Sequence, residues 1–168
     1  GSCHQKTFKE WKATQVEDTC QDCHMPRKKG RLTQKAGFNL LHKKRWVGDH
    51  RFLHGEIKEN DVVMESEWED NFFLISLKNQ TIPHFVPTAD NGDPRLYLYI
   101  KFFNEAGEEV DNAKEIIAPQ QETALPYNKK IQYRYRLFDK ILKAEVELKY
   151  QPAWSKEKST VRTETVRR

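Results

Sequence analysis

The stretch Leu96-Tyr97-Leu98-Tyr99-Ile100-Lys101-Phe102-Phe103 sets the first expectation for the fold. Apolar residues recur at every second position and aromatic residues are frequent, which is typical of a β-strand with one buried face. Similar patterns cover residues 72–78, 131–138 and 144–150. The sequence Asn104-Glu105-Ala106-Gly107 predicts a hairpin turn into residues 108–110, and Asp139-Lys140 begins another turn. Several such strands separated by Gly, Pro and Asn predict an antiparallel β-sandwich.

The pentapeptide Cys20-Gln21-Asp22-Cys23-His24 is a C-x-x-C-H motif. At this spacing two thiols reach the two vinyl groups of one porphyrin, and the adjacent imidazole lies where it can bind the iron. The motif therefore predicts a c-type haem, with Cys20 and Cys23 as the attachment residues and His24 as the proximal iron ligand.

Three other interpretations of the two thiols stay open at this point. Zinc is the main rival, but a structural zinc site needs four ligands and the sequence holds no second C-x-x-C. A disulfide between Cys20 and Cys23 would explain the thiols and leave His24 without a role. A redox-active dithiol is the third alternative.

The first residues, Gly1-Ser2-Cys3-His4, match the end of a second C-x-x-C-H motif if a cysteine precedes Gly1. Gly1-Ser2 is also a common remnant of tag removal. The chain has three cysteines, so one haem at Cys20 and Cys23 leaves Cys3 over. We therefore expect a second haem c at Cys3, with His4 as its iron ligand, and expect this chain to be the C-terminal part of a longer protein.

Composition suggests that the N-terminal region needs help to fold. Hydrophobic residues make up 37% of the chain and the mean hydropathy is −0.89, which is low for a self-sufficient core. A porphyrin supplies apolar surface for a short segment. The sequence predicts short helices at 7–12 and 39–46 and an exposed turn at 27–31. The expected fold class is therefore α+β: a mostly helix and loop haem region over 1–62, the β-sandwich over 63–153, and an extended basic tail over 154–168.

Charge divides the chain unevenly. Residues 1–58 contain 13 Lys and Arg against 6 Asp and Glu, whereas the remainder contains 16 against 19. The basic part surrounds the C-x-x-C-H motif, so it is suited to offset haem propionates or to steer an acidic redox partner. Because no basic recognition helix is apparent, we expect no nucleic-acid partner. No run of eighteen apolar residues occurs, so the sequence predicts no transmembrane segment in this chain.

The segment Thr19-Cys20-Gln21-Asp22-Cys23-His24-Met25-Pro26, preceded by Phe8-Lys9-Glu10-Trp11-Lys12, resembles the multihaem c-type cytochromes of bacterial and archaeal respiration. The later stretch Asn79-Gln80-Thr81-Ile82-Pro83-His84-Phe85-Val86-Pro87-Thr88 is similar to the segment that opens the β domain behind such haem regions. Pro83 and Ala89 stand where that family has glycine. The resemblance covers most of the chain up to about residue 150.

The resemblance also bears on the remaining histidines. A six-coordinate haem needs a second axial ligand, and His50, in His50-Arg51-Phe52, matches the family's histidine downstream of the motif. His54 is a close alternative, and His84, on a loop between two prolines, is a candidate to cap a haem from the β domain. His42 lies in a lysine-rich stretch that favours a solvated side chain.

The resemblance implies electron transfer by covalently attached haem, with other redox proteins or haem-bearing subunits as partners. Two alternatives stay open: the haem-bearing part of an oxidoreductase acting on a small nitrogen or sulfur compound, and a haem-tethered assembly protein of a homo-oligomer or filament. A carrier is favoured over a catalyst because no catalytic constellation is visible. Thioether attachment of haem implies the outer side of the energy-transducing membrane, in the periplasm or outside the cell.

Overall fold

Strands form most of the regular structure of this chain. The computed structural model describes residues 4–31, 43–49, 56–89, 92–137 and 140–168. The chain divides into two compact units, one of Gly1–Gln15 with Gly55–Arg168 and one of Val16–His54. We refer to the first as the β unit and to the second as the motif unit.

The β unit contains one helix and seven strands among its described residues. Its elements are α1 (Gln5–Lys12), β3 (Val62–Glu69), β4 (Phe72–Asn79), β5 (Arg95–Phe103), β6 (Glu109–Ile117), a 3-10 turn (Pro119–Gln121), β7 (Lys130–Arg136), β8 (Lys143–Gln151) and β9 (Ser159–Arg167). The motif unit contains α2 (Cys20–His24), β1 (Arg27–Gly30) and β2 (Arg45–Gly48).

The seven strands of the β unit form two antiparallel sheets. One has the order β3-β4-β7 and the other β6-β5-β8-β9. Buried and more exposed residues alternate along β5 and β8, so most of their apolar side chains point to one side of the sheet. That side packs against residues of the other sheet, and together they form one core. The rings of Phe73 on β4 and Phe102 on β5 meet edge to face, with centroids 5.5 Å apart. This contact joins the two sheets at the centre of the core.

Several predicted elements are confirmed. The helix predicted at 7–12 lies within α1, and the strands predicted at 72–78, 96–103, 131–138 and 144–150 correspond to β4, β5, β7 and β8. Phe138, at the end of the third of these, and Asp139, where a turn is predicted, lie outside the described residues. The hairpin turn after β5 is also present: the Asn104 amide donates to the Glu108 carbonyl at 3.0 Å, and the Gly107 amide donates to the Asn104 carbonyl at 3.1 Å. Gly107 has a φ of +80°, a conformation that suits glycine.

The expected fold class, α+β with a mostly helix and loop haem region before a β-sandwich, is wrong. Among the described residues, strands and isolated bridges account for 49% and helices for 11%, and the strands form three antiparallel sheets. One of those sheets is the β1–β2 hairpin, inside the region expected to be helix and loop. Its strands are four residues long and mostly exposed, so they lack the alternation of apolar residues that predicts a strand.

The structure differs from the sequence analysis at three further places. Residues 27–30, expected in a turn, are β1. Of the helix expected at 39–46, Arg45 and Trp46 belong to β2, Lys43 and Lys44 belong to no regular element, and residues 39–42 lie outside the described residues. Residues 159–167, expected in an extended tail, pair with β8 as β9. The domain boundary at residue 62 stays a prediction.

Candidate functional site

The C-x-x-C-H motif forms a single helical turn, α2 (Cys20–His24). The Asp22 carboxylate accepts hydrogen bonds from the Thr19 amide at 2.8 Å and the Thr19 hydroxyl at 2.6 Å. These bonds hold the pKa of Asp22 below its usual value, assisted by the positive charge of Arg27. The carboxylate thus satisfies an amide at the helix start that has no partner within the helix. One of the two variable positions in the motif therefore holds its turn in shape.

The two motif thiols are free and exposed. Cys20 and Cys23 are three residues apart in one helical turn, so they share a face. Partial desolvation raises the pKa of Cys23, and the carboxylates of Asp18 and Asp22 add to the effect. Cys23 is therefore held as a thiol near neutral pH, whereas reactive redox cysteines have a lowered pKa.

This donor set fits a covalently attached haem. Two exposed thiols lie on one turn with the exposed His24 directly after them, which is the combination that thioether attachment and iron ligation require. Within the described ranges, no group of three or more His, Cys, Asp and Glu side chains converges to hold a bare metal ion.

The β1–β2 hairpin follows the motif and is anchored next to it. The Asp49 amide donates to the Pro26 carbonyl at 3.0 Å, and the Asp49 carboxylate, which is buried, forms an ion pair with Lys28 at 2.8 Å. A shallow depression between the motif and the hairpin is lined by Gln21, Asp22, Met25, Pro26, Arg27 and Gly48. Trp46 on β2 is 63% exposed, an unusual degree for so large an apolar side chain.

His84 lies in the β unit, on a loop whose backbone is held by several hydrogen bonds. The Asn79 side-chain amide, which is fully buried, donates to the His84 carbonyl at 2.7 Å. The His84 amide donates to the Ile82 carbonyl at 2.8 Å, and Val86 exchanges two backbone hydrogen bonds with Leu125. The loop therefore holds His84 in one backbone conformation, although the proline at position 83 replaces the glycine of the family pattern.

The His84 ring is oriented by its neighbour. Its Nδ1 lies 2.9 Å from the Phe85 carbonyl oxygen. A carbonyl oxygen only accepts hydrogen bonds, so Nδ1 carries a proton, and in the neutral imidazole the lone pair is therefore on Nε2. Histidines that bind metals through Nε2 are commonly fixed in this way.

Helix α1 is fastened to the same loop. The Glu10 carboxylate accepts hydrogen bonds from the Phe85 amide at 3.2 Å and from the Thr88 hydroxyl at 2.8 Å. The Thr7 hydroxyl lies 3.1 Å from that of Thr88, and the Lys6 ammonium donates to the Pro119 carbonyl at 3.3 Å. Three side chains of α1 thus bond to the His84 loop or to the 3-10 turn, in the other part of the β unit.

The structure places some of the predicted site residues and not others. His4 is exposed at the position before α1, in the β unit. Cys3, His42, His50 and His54 lie outside the described residues, so their roles stay predictions. Glu10, Asn79 and Asp49 were not identified from the sequence. The Thr19-x-x-Asp22 spacing is a capping-box pattern and could have revealed Asp22.

Comparison with solved structures finds a similar fold in a cytochrome. The penta-heme cytochrome c552 from Thermochromatium tepidum superposes with a TM-score of 0.62 at 17% sequence identity, over 96% of this chain. The fold is like that of a multihaem cytochrome. This chain spans about half of that cytochrome, since 50% of its length is covered. A structural genomics target, SoR45, superposes with a TM-score of 0.32 at 11% identity.

No protein-family model and no curated protein matches the sequence. In the part of the chain that the structure describes, no helix has the length and apolar character to cross a membrane.

Proposed function

We propose that this chain is an electron-transfer part of a multihaem cytochrome. In this proposal Cys20 and Cys23 attach one haem c by thioether bonds and His24 is its proximal iron ligand. The observation that carries the proposal is the capped turn of α2, with two free thiols on one face and an imidazole beside them. The likeness in fold to a penta-heme cytochrome supports it.

The protein residues have separate tasks in this proposal. A bound haem supplies one-electron redox chemistry. Cys20 and Cys23 fix its position, His24 ligates its iron, and Asp22 keeps the three side chains on one rigid turn. Positive side chains in the motif unit, including the exposed Arg27 beside the motif, are suited to offset the propionates.

A second haem is proposed at Cys3, with His4 as its ligand. His50 is the proposed distal ligand of the first haem, and His54 the alternative. The geometry around His84 supports a third role, as an axial ligand that presents Nε2 from the β unit. The hydrogen bonds that hold its loop would keep the orientation of the imidazole constant between redox states.

The proposed setting is the periplasm or the exterior of the cell, because thioether attachment is carried out on the outer side of the energy-transducing membrane. The proposed partners are other redox proteins or haem-bearing subunits, including further copies of this chain in an oligomer or filament. The role proposed is that of a carrier rather than a catalyst.

Intact-mass spectrometry with haem staining tests the proposal. In the native protein, each attached haem adds one fixed mass. The double variant Cys20→Ala/Cys23→Ala is expected to lose one haem mass, while Cys3→Ala, the matched control, keeps the haem at the complete motif. An unchanged mass and stain in the double variant would rule out attachment at α2.

A further inference from the structure

The outer face of the four-stranded sheet carries a cluster of tyrosine and lysine side chains that haem binding does not explain. Tyr97 and Tyr99 are two apart on β5, so they point to the same side, and their rings stack with centroids 6.0 Å apart. Lys114 on β6 is the register partner of Tyr99, and Lys149 on β8 is the partner of Tyr97. Lys158 lies just before β9. We call these five residues the lysine–tyrosine patch.

The three ammonium groups gather over the two rings. The Lys158 Nζ lies 4.0 Å from the centroid of Tyr97 and donates a hydrogen bond to the Tyr99 hydroxyl at 3.0 Å. The Lys114 Nζ lies 5.3 Å and 5.6 Å from the two centroids, and that of Lys149 lies 6.0 Å from Tyr99. Interactions with the ring faces hold these cations close together in spite of their mutual repulsion.

Two acidic residues near the patch are already engaged. Glu147 forms an ion pair with Lys149 at 3.0 Å and accepts a hydrogen bond from Thr160, and Asp93 pairs with Arg95. Among the residues that the structure describes, no carboxylate lies within ion-pair distance of Lys114 or Lys158. Two positive charges on this face therefore lack a counter-charge from the described protein.

An exposed tryptophan is coupled to the same face. The Tyr97 hydroxyl donates to the Gln151 side chain at 3.0 Å, and the Gln151 amide donates to the Ser155 carbonyl at 2.8 Å. Trp154, inside the loop so held, is 76% exposed. Tryptophan is enriched at the centres of protein interfaces, where it contributes much of the binding energy.

We infer that the lysine–tyrosine patch, with Trp154, is a docking surface for an acidic segment of a partner protein. The charge of its surroundings favours this occupant. Residues 59–168 carry 16 Lys and Arg against 19 Asp and Glu, so a long polyanion such as a nucleic acid would meet net repulsion beyond the patch. A compact cluster of carboxylates would face only the ammonium groups. The inference is independent of haem attachment.

A fluorescently labelled octaglutamate peptide, titrated against the full chain at low salt, tests this surface. The double variant Lys114→Gln/Lys158→Gln is expected to raise the Kd about tenfold, since two local charge contacts are lost. The matched control Lys129→Gln/Lys140→Gln removes the same charge from exposed lysines elsewhere in the β unit and is expected to change the Kd less than about twofold. Unchanged thermal unfolding of both variants would show that they fold normally.

The other outcomes would overturn the inference. Equal weakening in both double variants would mean that only net charge matters. Absence of peptide binding would mean that the patch does not recognise carboxylates. Tighter, patch-dependent binding of a single-stranded oligonucleotide of similar charge would assign the surface to nucleic acid. A chain that binds no peptide but self-associates in sedimentation, and that loses this self-association in Lys114→Gln/Lys158→Gln, would assign the patch to a second copy of the chain.

Discussion

The Glu10 carboxylate, on helix α1, accepts a hydrogen bond from the backbone amide of Phe85 at a distance of 3.2 Å, although the two residues are 75 apart in sequence. The amide belongs to the peptide group that joins His84 to Phe85. The carbonyl of that group accepts a hydrogen bond from Asn79. The peptide after His84 is therefore held from both sides, by a carboxylate from the helix and an amide from β4.

We predict that Glu10→Leu loosens the His84 loop, while Glu10→Gln, which keeps an acceptor oxygen, retains most of its order. The expected loss of stability for Glu10→Leu is about 1 kcal/mol, because a partly exposed carboxylate contributes less than a buried one. Nitrogen-15 NMR of the imidazole is expected to show the Nδ1–H form of His84 in the native chain and a mixture in Glu10→Leu.

The control for this prediction is Lys9→Leu, next to Glu10 on α1 and exposed. It is expected to leave the imidazole signals unchanged. An identical tautomer in Glu10→Leu and the native chain would show that the loop is ordered without the helix.

A second prediction concerns the core between the sheets. Phe73 is fully buried and its ring contacts those of Trp68 and Phe102. Phe73→Ala is expected to lower the free energy of unfolding by about 3 to 5 kcal/mol in urea titrations. Phe72→Ala is the matched control, since Phe72 is the preceding residue, is only half-buried and lies under Arg134. A similar loss in both variants would contradict the central position of Phe73.

A third prediction concerns alkaline pH. Burial raises the pKa of Tyr135 well above its usual value, and the nearby Glu115 carboxylate, which accepts its hydroxyl hydrogen bond at 3.1 Å, adds to the effect. In the unfolded chain this phenol loses its proton near its usual pKa of about 10, so above that pH the unfolded state binds fewer protons. The stability contributed by the neutral phenol is thus present below pH 10 and is lost as pH rises.

Urea titrations over a series of pH values measure this effect. Tyr135 is expected to account for a fall of up to about 1.4 kcal/mol per pH unit above about pH 10. Tyr135→Phe should remove that share of the decline, leaving the part due to other groups. A decline equally steep in Tyr135→Phe would show that this phenol titrates alike in both states.

The long strands could be predicted from the sequence because their apolar side chains recur at every second position. β8 (Lys143–Gln151) alternates buried and partly buried residues along its whole length, so period-two apolar spacing identified it. β9 (Ser159–Arg167) has one buried residue, Val161, and its position depends on backbone pairing with β8. The short β1–β2 hairpin is specified in the same way, by pairing that leaves no apolar alternation.

The candidate sites show a similar contrast. The C-x-x-C-H chemistry is local, so five consecutive residues were enough to predict it. The hydrogen bonds around His84 join two distant parts of the chain, the loop with Asn79 and Phe85 and the helix with Glu10. Such contacts arise only when the sheets have placed the loop beside α1, and no spacing in the sequence indicates them.

The final prediction separates the two variable positions of the C-x-x-C-H motif. Both Gln21 and Asp22 are exposed, but only the Asp22 carboxylate accepts the Thr19 amide and hydroxyl hydrogen bonds. Without that acceptor the first turn of α2 loses its cap, and Cys20, Cys23 and His24 are no longer held on one turn. Asp22→Ala is therefore expected to lower the fraction of protein carrying haem at this motif several-fold in intact-mass spectra.

Gln21→Ala is the matched control, at the neighbouring variable position, and is expected to leave that fraction near the native level. Asp22→Asn keeps a side-chain oxygen that can accept from Thr19, so it should recover most of the attachment. Equal attachment in Asp22→Ala and Gln21→Ala would mean that the turn needs no cap to present its thiols. Equal loss in Asp22→Asn and Asp22→Ala would assign the effect to the negative charge, because only the charge is absent from both.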